Sequence, residues 1–257
     1  MSSADTPAAA TVDADAESPA PQVFSVVSSE RKFEGVVASV RVDEVVMPGG
    51  GTAKREVVEH GGAVAIVALD SAGPLDQAAD FDVVDAEDSA TMVILIEQYR
   101  HPLGRRLWEL PAGLMDFEGE SGQAAAAREL IEETGYAADH WTVLLDVATS
   151  PGFTEETVRI FLATGLTDVG RPDSEHEEAD LRVVRVPLSV AVESVLAGRI
   201  VNVMAVAGIL AADAVLRGRA VAVDRSDESQ SDQRRPWTVY SGSGTPVAPP
   251  LDGSAPR

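Results

Sequence analysis

Three glutamates, Glu129, Glu132 and Glu133, stand close together in the run "ARELIEETG". Residues 123–134 around them are good helix formers, with acids near the start, and Gly135 stands where a helix is commonly ended. On a helix, residues three and four apart share a face, so Glu129 and Glu133 project together and Glu132 lies beside both. Three carboxylates within one turn repel each other unless a cation sits among them. Ligands that are all oxygen, with no sulfur, suit magnesium, with manganese as a substitute. Arg128 immediately precedes the set and is placed to pair with Glu120, which would hold the preceding loop against the helix. Taken alone, the run also fits a plain acidic face on a solvated helix.

The surroundings separate these readings. Residues 109–136, "ELPAGLMDFEGESGQAAAARELIEETGY", resemble the Nudix box: a glycine loop, a helix and a closing loop. Gly113, Glu120 and the run from Arg128 to Gly135 carry the resemblance. Six residues separate Gly113 from Glu120 where the family pattern has five, and the extra one falls before the helix. The resemblance implies attack of water on the phosphorus of a nucleoside diphosphate linked to a second group. It implies Glu129 and Glu133 as metal ligands, with the Ala112 carbonyl completing the shell and Glu132 as a ligand or helper. Arg128 would orient the glutamates.

Two further stretches resemble the ADP-ribose pyrophosphatase branch of that family. In "EQYRHPLGRRLWELPAGLMD", Arg100 and Glu109 occupy positions that contact substrate in the branch. A guanidinium fork suits diphosphate oxygens, although Arg100 could instead pair with a local acid. Arg105 and Arg106 read as solvated. Beyond "SPGFTEETVRIFLA" comes "SEHEEADLRVVRV", and the branch draws its general base from this later loop. The candidates are Glu175, Glu177 and Glu178; Glu178 is preferred, then Glu177, as nearest to the following strand. Phe153, with Glu155 and Glu156, would shape the ribose side. Members of the branch exchange an N-terminal sheet across a homodimer and bind adenine with it, and residues 55–69 resemble that region. The implied activity is magnesium-dependent cleavage of ADP-ribose, or a related nucleoside diphosphate sugar, to AMP and ribose 5-phosphate. The alternatives are another dinucleotide or sugar nucleotide as substrate, or a non-catalytic ADP-ribose sensor.

The elements that must position these residues are legible in outline. Residues 24–27, 34–46, 55–58, 63–69, 92–97, 143–147, 158–163 and 181–186 read as strands. Residues 189–197 and 202–216 read as helices with apolar positions at helical spacing. Residues 63–69 and 92–97 flank a stretch, 70–90, that holds seven acids and no base, so they read as an antiparallel core hairpin. The order implies an α+β fold, an α/β/α sandwich with a mixed sheet, preceded by a small antiparallel sheet. The expected divisions are an acidic disordered tail (1–22), an N-terminal dimerisation sheet (23–60), a Nudix domain (61–218) and a disordered C-terminal tail (219–257).

Composition bounds the partners. A net charge of −22 opposes nucleic-acid binding. The chain has no cysteine, which removes disulfides and thiolate nucleophiles. No signal peptide is visible, and the most apolar stretch, 201–216, is too short to span a bilayer. A cytoplasmic location is expected.

Overall fold

The computed structural model describes residues 24–70, 81, 91–115, 117, 119–172 and 180–220. Strands β1 (Val26–Glu34), β2 (Ala38–Val46) and β3 (Thr52–His60) form an antiparallel sheet of their own, in that order. The sequence reading ran residues 34–46 together and omitted 28–33. Gly35 instead turns the chain, its N–H donating to the Ala38 carbonyl at 3.0 Å. The polar run "SSERK" is strand because it pairs along β2, not because it alternates. Strand β1 is exposed along its whole length.

The second sheet contains β4 (Ala63–Asp70), β5 (Met92–Arg100), β6 (Arg105–Glu109), β7 (Ala112–Leu114), β8 (Tyr136–Ala148), β9 (Thr157–Asp168) and β10 (Arg182–Pro187). Its order is β10-β5-β4-β9-β8, with β6 on β5 and β7 on β4. The β4–β9 pairing is parallel and the others are antiparallel, so the sheet is mixed as expected. The expected β4–β5 hairpin is only partly formed. The two strands pair at Leu69–Val93 and Asp70–Met92, and β7 then takes that edge of β4 along Ala63–Ala65. The sequence reading missed β6 and β7. One is short and charged, the other has three residues and a glycine, and both are strands through distant partners.

Strand β4 divides the core. Its alternate residues Ala65, Val67 and Leu69 face helices α2 (Leu188–Leu196) and α3 (Val203–Leu216). Val64, Ile66 and Ala68 face helix α1 (Gly122–Thr134) through Ala125, Ala126 and Leu130. This is the α/β/α sandwich. Helix α3 lies close against the sheet at Gly208, where a Cβ would stand 2.8 Å from Leu110 Cδ1 and 2.9 Å from Val67 Cγ2. Asn202 caps that helix, its side chain accepting from the Met204 and Ala205 N–H groups at 2.9 and 3.1 Å.

Most of the acidic stretch 70–90, the 173–179 segment and both expected tails fall outside the described residues. Asp70, at the end of β4, and Phe81 are the described residues of the acidic stretch, and the Phe81 ring packs on Trp108. Among the described residues, no helix is long and apolar enough to cross a membrane.

Candidate active site

Helix α1 starts at Ser121, whose side chain accepts from the Ala124 N–H at 3.2 Å, so a serine rather than an acid caps it. It ends at Gly135 with φ +79°, where the Gly135 N–H returns to the Ile131 carbonyl. Between these caps, Ala125, Ala126 and Leu130 lock one face onto the sheet. That lock sets where the glutamates go. Glu133 is 6% exposed, and its Oε2 accepts from the Ala112 N–H at 2.8 Å. The Glu129 carboxyl group lies against Gly113, in the space that a Cβ there would fill. Strand β7 thus meets the helix at two adjacent residues, one for each glutamate.

The cation among these carboxylates is Arg128. Its Nη1 donates to Glu129 at 2.6 Å and to Glu132 at 3.0 Å. Its Nε and Nη2 each reach a Glu120 oxygen at 3.2 Å, which is the loop-to-helix pairing expected from the sequence. The Phe117 ring lies under the guanidinium, 4.7 Å from its carbon. Burial would lower the pKa of this guanidinium, but the hydrogen bonds it donates to Glu120, Glu129 and Glu132 and the charge of Glu129 outweigh that and raise it. Arg128 therefore stays cationic. Among the described residues, no three or more His, Cys, Asp or Glu side chains stand together as a ready ligand set. Glu129 and Glu132 are engaged by Arg128, and Glu133 by Ala112.

Arg100 and Glu109 lie on the neighbouring strands β5 and β6, Arg100 opposite Arg105 and Glu109 opposite Ile96, and their side chains meet. Arg100 Nε donates to Glu109 Oε1 at 3.0 Å and Nη2 to Oε2 at 2.7 Å, and Glu109 is fully buried. The two candidate substrate residues are brought together, and they hold one another. Arg106, read as solvated, donates to the Asp180 carbonyl at 3.3 Å and pairs with its carboxylate. Phe153 lies in the loop between β8 and β9 and is 58% exposed. That loop docks on the N-terminal sheet: the Val58 N–H donates to the Phe153 carbonyl at 2.7 Å, and Arg41 reaches Glu155 at 3.2 Å. His60 Nδ1 stands 3.4 Å from Glu156. Arg41 also binds Asp43 and Glu59, at 3.0 and 2.8 Å.

Glu175, Glu177 and Glu178 belong to residues 173–179, outside the described residues. On either side of that segment the chain is held by an arginine that sequence reading passed over. Arg171 donates from Nε to the Glu132 carbonyl at 3.1 Å and from Nη1 to the Leu181 carbonyl at 3.4 Å. Both acceptors are backbone groups distant in sequence, so no side-chain spacing could have signalled the contact.

Comparison with known proteins gives the family. A family model described as the NUDIX domain matches residues 76–200. The ADP-ribose pyrophosphatase of Mycobacterium tuberculosis is 49% identical over 197 residues, which is 77% of this chain and 86% of that one. The chain belongs to the Nudix hydrolase family. The ADP-ribose pyrophosphatase of Bacillus subtilis is 35% identical over 169 residues, 66% of this chain and 81% of that protein. A crystal structure of an ADP compounds hydrolase shares the fold of this Nudix hydrolase, with TM-score 0.61 and 23% identity, covering 79% of this chain and 99% of that one. Nudix hydrolases generally work with divalent metal ions, and the donor type here, though not yet gathered into a ligand set, suits one. Glu129, Glu132 and Glu133 offer only oxygen, and bare Gly113 leaves the Glu129 carboxylate its space.

Proposed function

We propose that this Nudix hydrolase cleaves the pyrophosphate of ADP-ribose with magnesium, releasing AMP and ribose 5-phosphate. One observation carries the reading: β7 seats Glu129 against Gly113 and tethers Glu133 through the Ala112 N–H. It does so in a chain 49% identical to an ADP-ribose pyrophosphatase. Glu129, Glu133 and the Ala112 carbonyl are the residues that would hold the ion, with Glu132 as ligand or helper. Once bound, a divalent ion neutralises the pyrophosphate and lowers the pKa of an attacking water; manganese is the natural substitute.

The chain's own residues supply the rest. Arg128 keeps Glu120, Glu129 and Glu132 in one constellation. Buried Glu109 takes the Nε and Nη2 side of Arg100 and so fixes the plane of its guanidinium, whose remaining N–H groups would meet the substrate's diphosphate. Phe153 stands at the ribose side. A carboxylate of the 173–179 segment, Glu178 before Glu177 and Glu175, takes the proton from water, because glutamates holding metal are poor bases.

The protein works as a cytoplasmic homodimer whose N-terminal sheets cross to the partner. The support is a β1 strand exposed throughout, with Phe24, Val26, Val27, Phe33 and Val37 open to solvent. The test presents ADP-ribose, other nucleoside diphosphate sugars, dinucleotides and flavin dinucleotide at matched concentrations, with and without magnesium. Fastest AMP release from ADP-ribose, dependent on the ion, is expected. Faster turnover of another compound would reassign the substrate, and binding of ADP-ribose without AMP release would make the protein a sensor.

A further inference from the structure

We infer that Arg41 is a positioning residue that latches the loop between β8 and β9 to the N-terminal sheet and so sets the affinity for substrate. Residues 149–156 meet that sheet first through their backbone. The Val58 N–H donates to the Phe153 carbonyl at 2.7 Å, and the Glu155 N–H donates to the Val58 carbonyl at 3.3 Å. The result is a one-residue parallel bridge between Val58 and Thr154. Side chains then add to the bridge. Arg41 Nη1 donates to Glu155 at 3.2 Å, and His60 Nδ1 stands 3.4 Å from Glu156, whose other oxygen accepts from Thr149.

Strand register explains how the sheet holds Arg41 in place. Arg31 on β1 lies directly opposite Arg41 on β2, and like charges so placed repel. Glu59, paired with Ser39 two residues along the same face, removes the conflict by accepting from both arginines at 2.8 Å. Asp43, 6% exposed, accepts from Arg41 Nε at 3.0 Å and from the Ser29 hydroxyl at 2.6 Å. Burial would lower the pKa of Arg41, but its bonds to Glu59 and Asp43 and the charge of Glu155 raise it, so it stays cationic. The sheet alone therefore fixes this guanidinium, and the loop docks on it through Glu155.

This inference rests on the reading above that Phe153 stands at the ribose side. On that reading, Arg41 fixes how the loop presents Phe153 without touching substrate itself. The Arg41–Glu155 pair is partly exposed, and such pairs contribute little to global stability. Its loss leaves the backbone bridge in place and loosens the loop around it. KM should then rise while kcat stays put, the pattern of binding that is equal in ground state and transition state.

Two variants break the latch from opposite sides. Glu155→Gln removes the loop's charge and leaves Arg41, Asp43 and Glu59 as they are. Arg41→Lys keeps a cation, but one ammonium cannot serve Asp43, Glu59 and Glu155 in the geometry of the fork. Both should raise KM for ADP-ribose about two- to fivefold, the range for a partly exposed pair, with kcat unchanged. Amide hydrogen exchange across residues 149–156 should quicken in both, a readout that needs no substrate, while the melting temperature of Glu155→Gln stays put. Combining the two should add nothing further, and neither should raise KM in a Phe153→Ala background. Wild-type KM or a lowered kcat in Glu155→Gln overturns the inference, as does unchanged exchange in the loop. A rise in KM that Arg41→Lys does not share would make Glu155 a substrate contact in its own right and overturn the latch. If Phe153→Ala keeps wild-type KM, the placing of Phe153 fails by itself. A rise in Glu155→Gln would then act through another residue and overturn the latch as described.

Discussion

Gly113 and Glu129 are fitted to each other: the carboxyl group of the glutamate fills the space where the glycine has no side chain. The pair joins β7 to α1 at the point where chemistry is proposed. Gly113→Ala should therefore displace Glu129 while β7 keeps its pairing with Val64. A drop in kcat of about tenfold or more is expected, with the melting temperature little changed. Activity assays beside a thermal melt check it, and an alanine variant with full kcat would show that Glu129 is free to move.

Glu133→Gln removes charge but not reach. The amide oxygen can still accept from the Ala112 N–H, now at 2.8 Å, so the helix stays docked. The loss of a charged ligand should cost about a hundredfold or more in rate. Full activity at saturating magnesium would sink the assignment of this residue.

Arg100 and Glu109 carry a structural duty and a proposed substrate duty, and mutation separates them. Arg100→Leu leaves a fully buried carboxylate unpaired, which should cost about 3 kcal/mol in urea denaturation. Changing Glu109 to leucine as well should restore most of that stability. The rise in KM for ADP-ribose should persist in the double variant. A double variant with normal KM would reduce Arg100 to a partner for Glu109.

Gly208→Ala pits two terms against each other. Alanine favours the helix by about 1 kcal/mol over glycine. The added methyl would stand 2.8 Å from Leu110 Cδ1, and overpacking of this kind costs about 1–3 kcal/mol. The crowding term should win by about 1 kcal/mol, read from the denaturation midpoint at constant slope.

The N-terminal sheet is tested by length. Removing residues 1–22 should leave an active dimer, and removing residues 1–58 should not. The longer deletion takes away Arg41 and Val58, both of which hold the loop carrying Phe153. Light scattering and an activity assay on both forms decide it. A monomeric, fully active long truncation would make the sheet dispensable.

The helix was legible because local rules define it: helix formers, a closing Gly135 and glutamates at facing positions. The Arg128–Glu120 pairing was legible for the same reason, since both lie within one motif. Strand β1 was not. Its two faces are both exposed in this chain, so no alternation of apolar and polar residues marks it, and its apolar residues read as a short isolated strand. β6 and β7 are strands only because β5 and β4 lie beside them. The contacts of Arg171 were invisible for another reason: they run to backbone carbonyls, which any residue type provides.

The parallel pairing of β4 with β9 bears on how the chain is made. Ala63 pairs with Val158, so β4 emerges from the ribosome long before its parallel partner exists. Until then the run "AVAIVAL", apolar on both faces, has one edge without a neighbour, which is the kind of segment that seeds association between nascent chains. Pairings this distant in sequence also form slowly. Fragments that stop short of β9 should therefore be recovered as aggregates, and expression of the whole protein should respond more to chaperone supply and growth temperature than its final stability suggests.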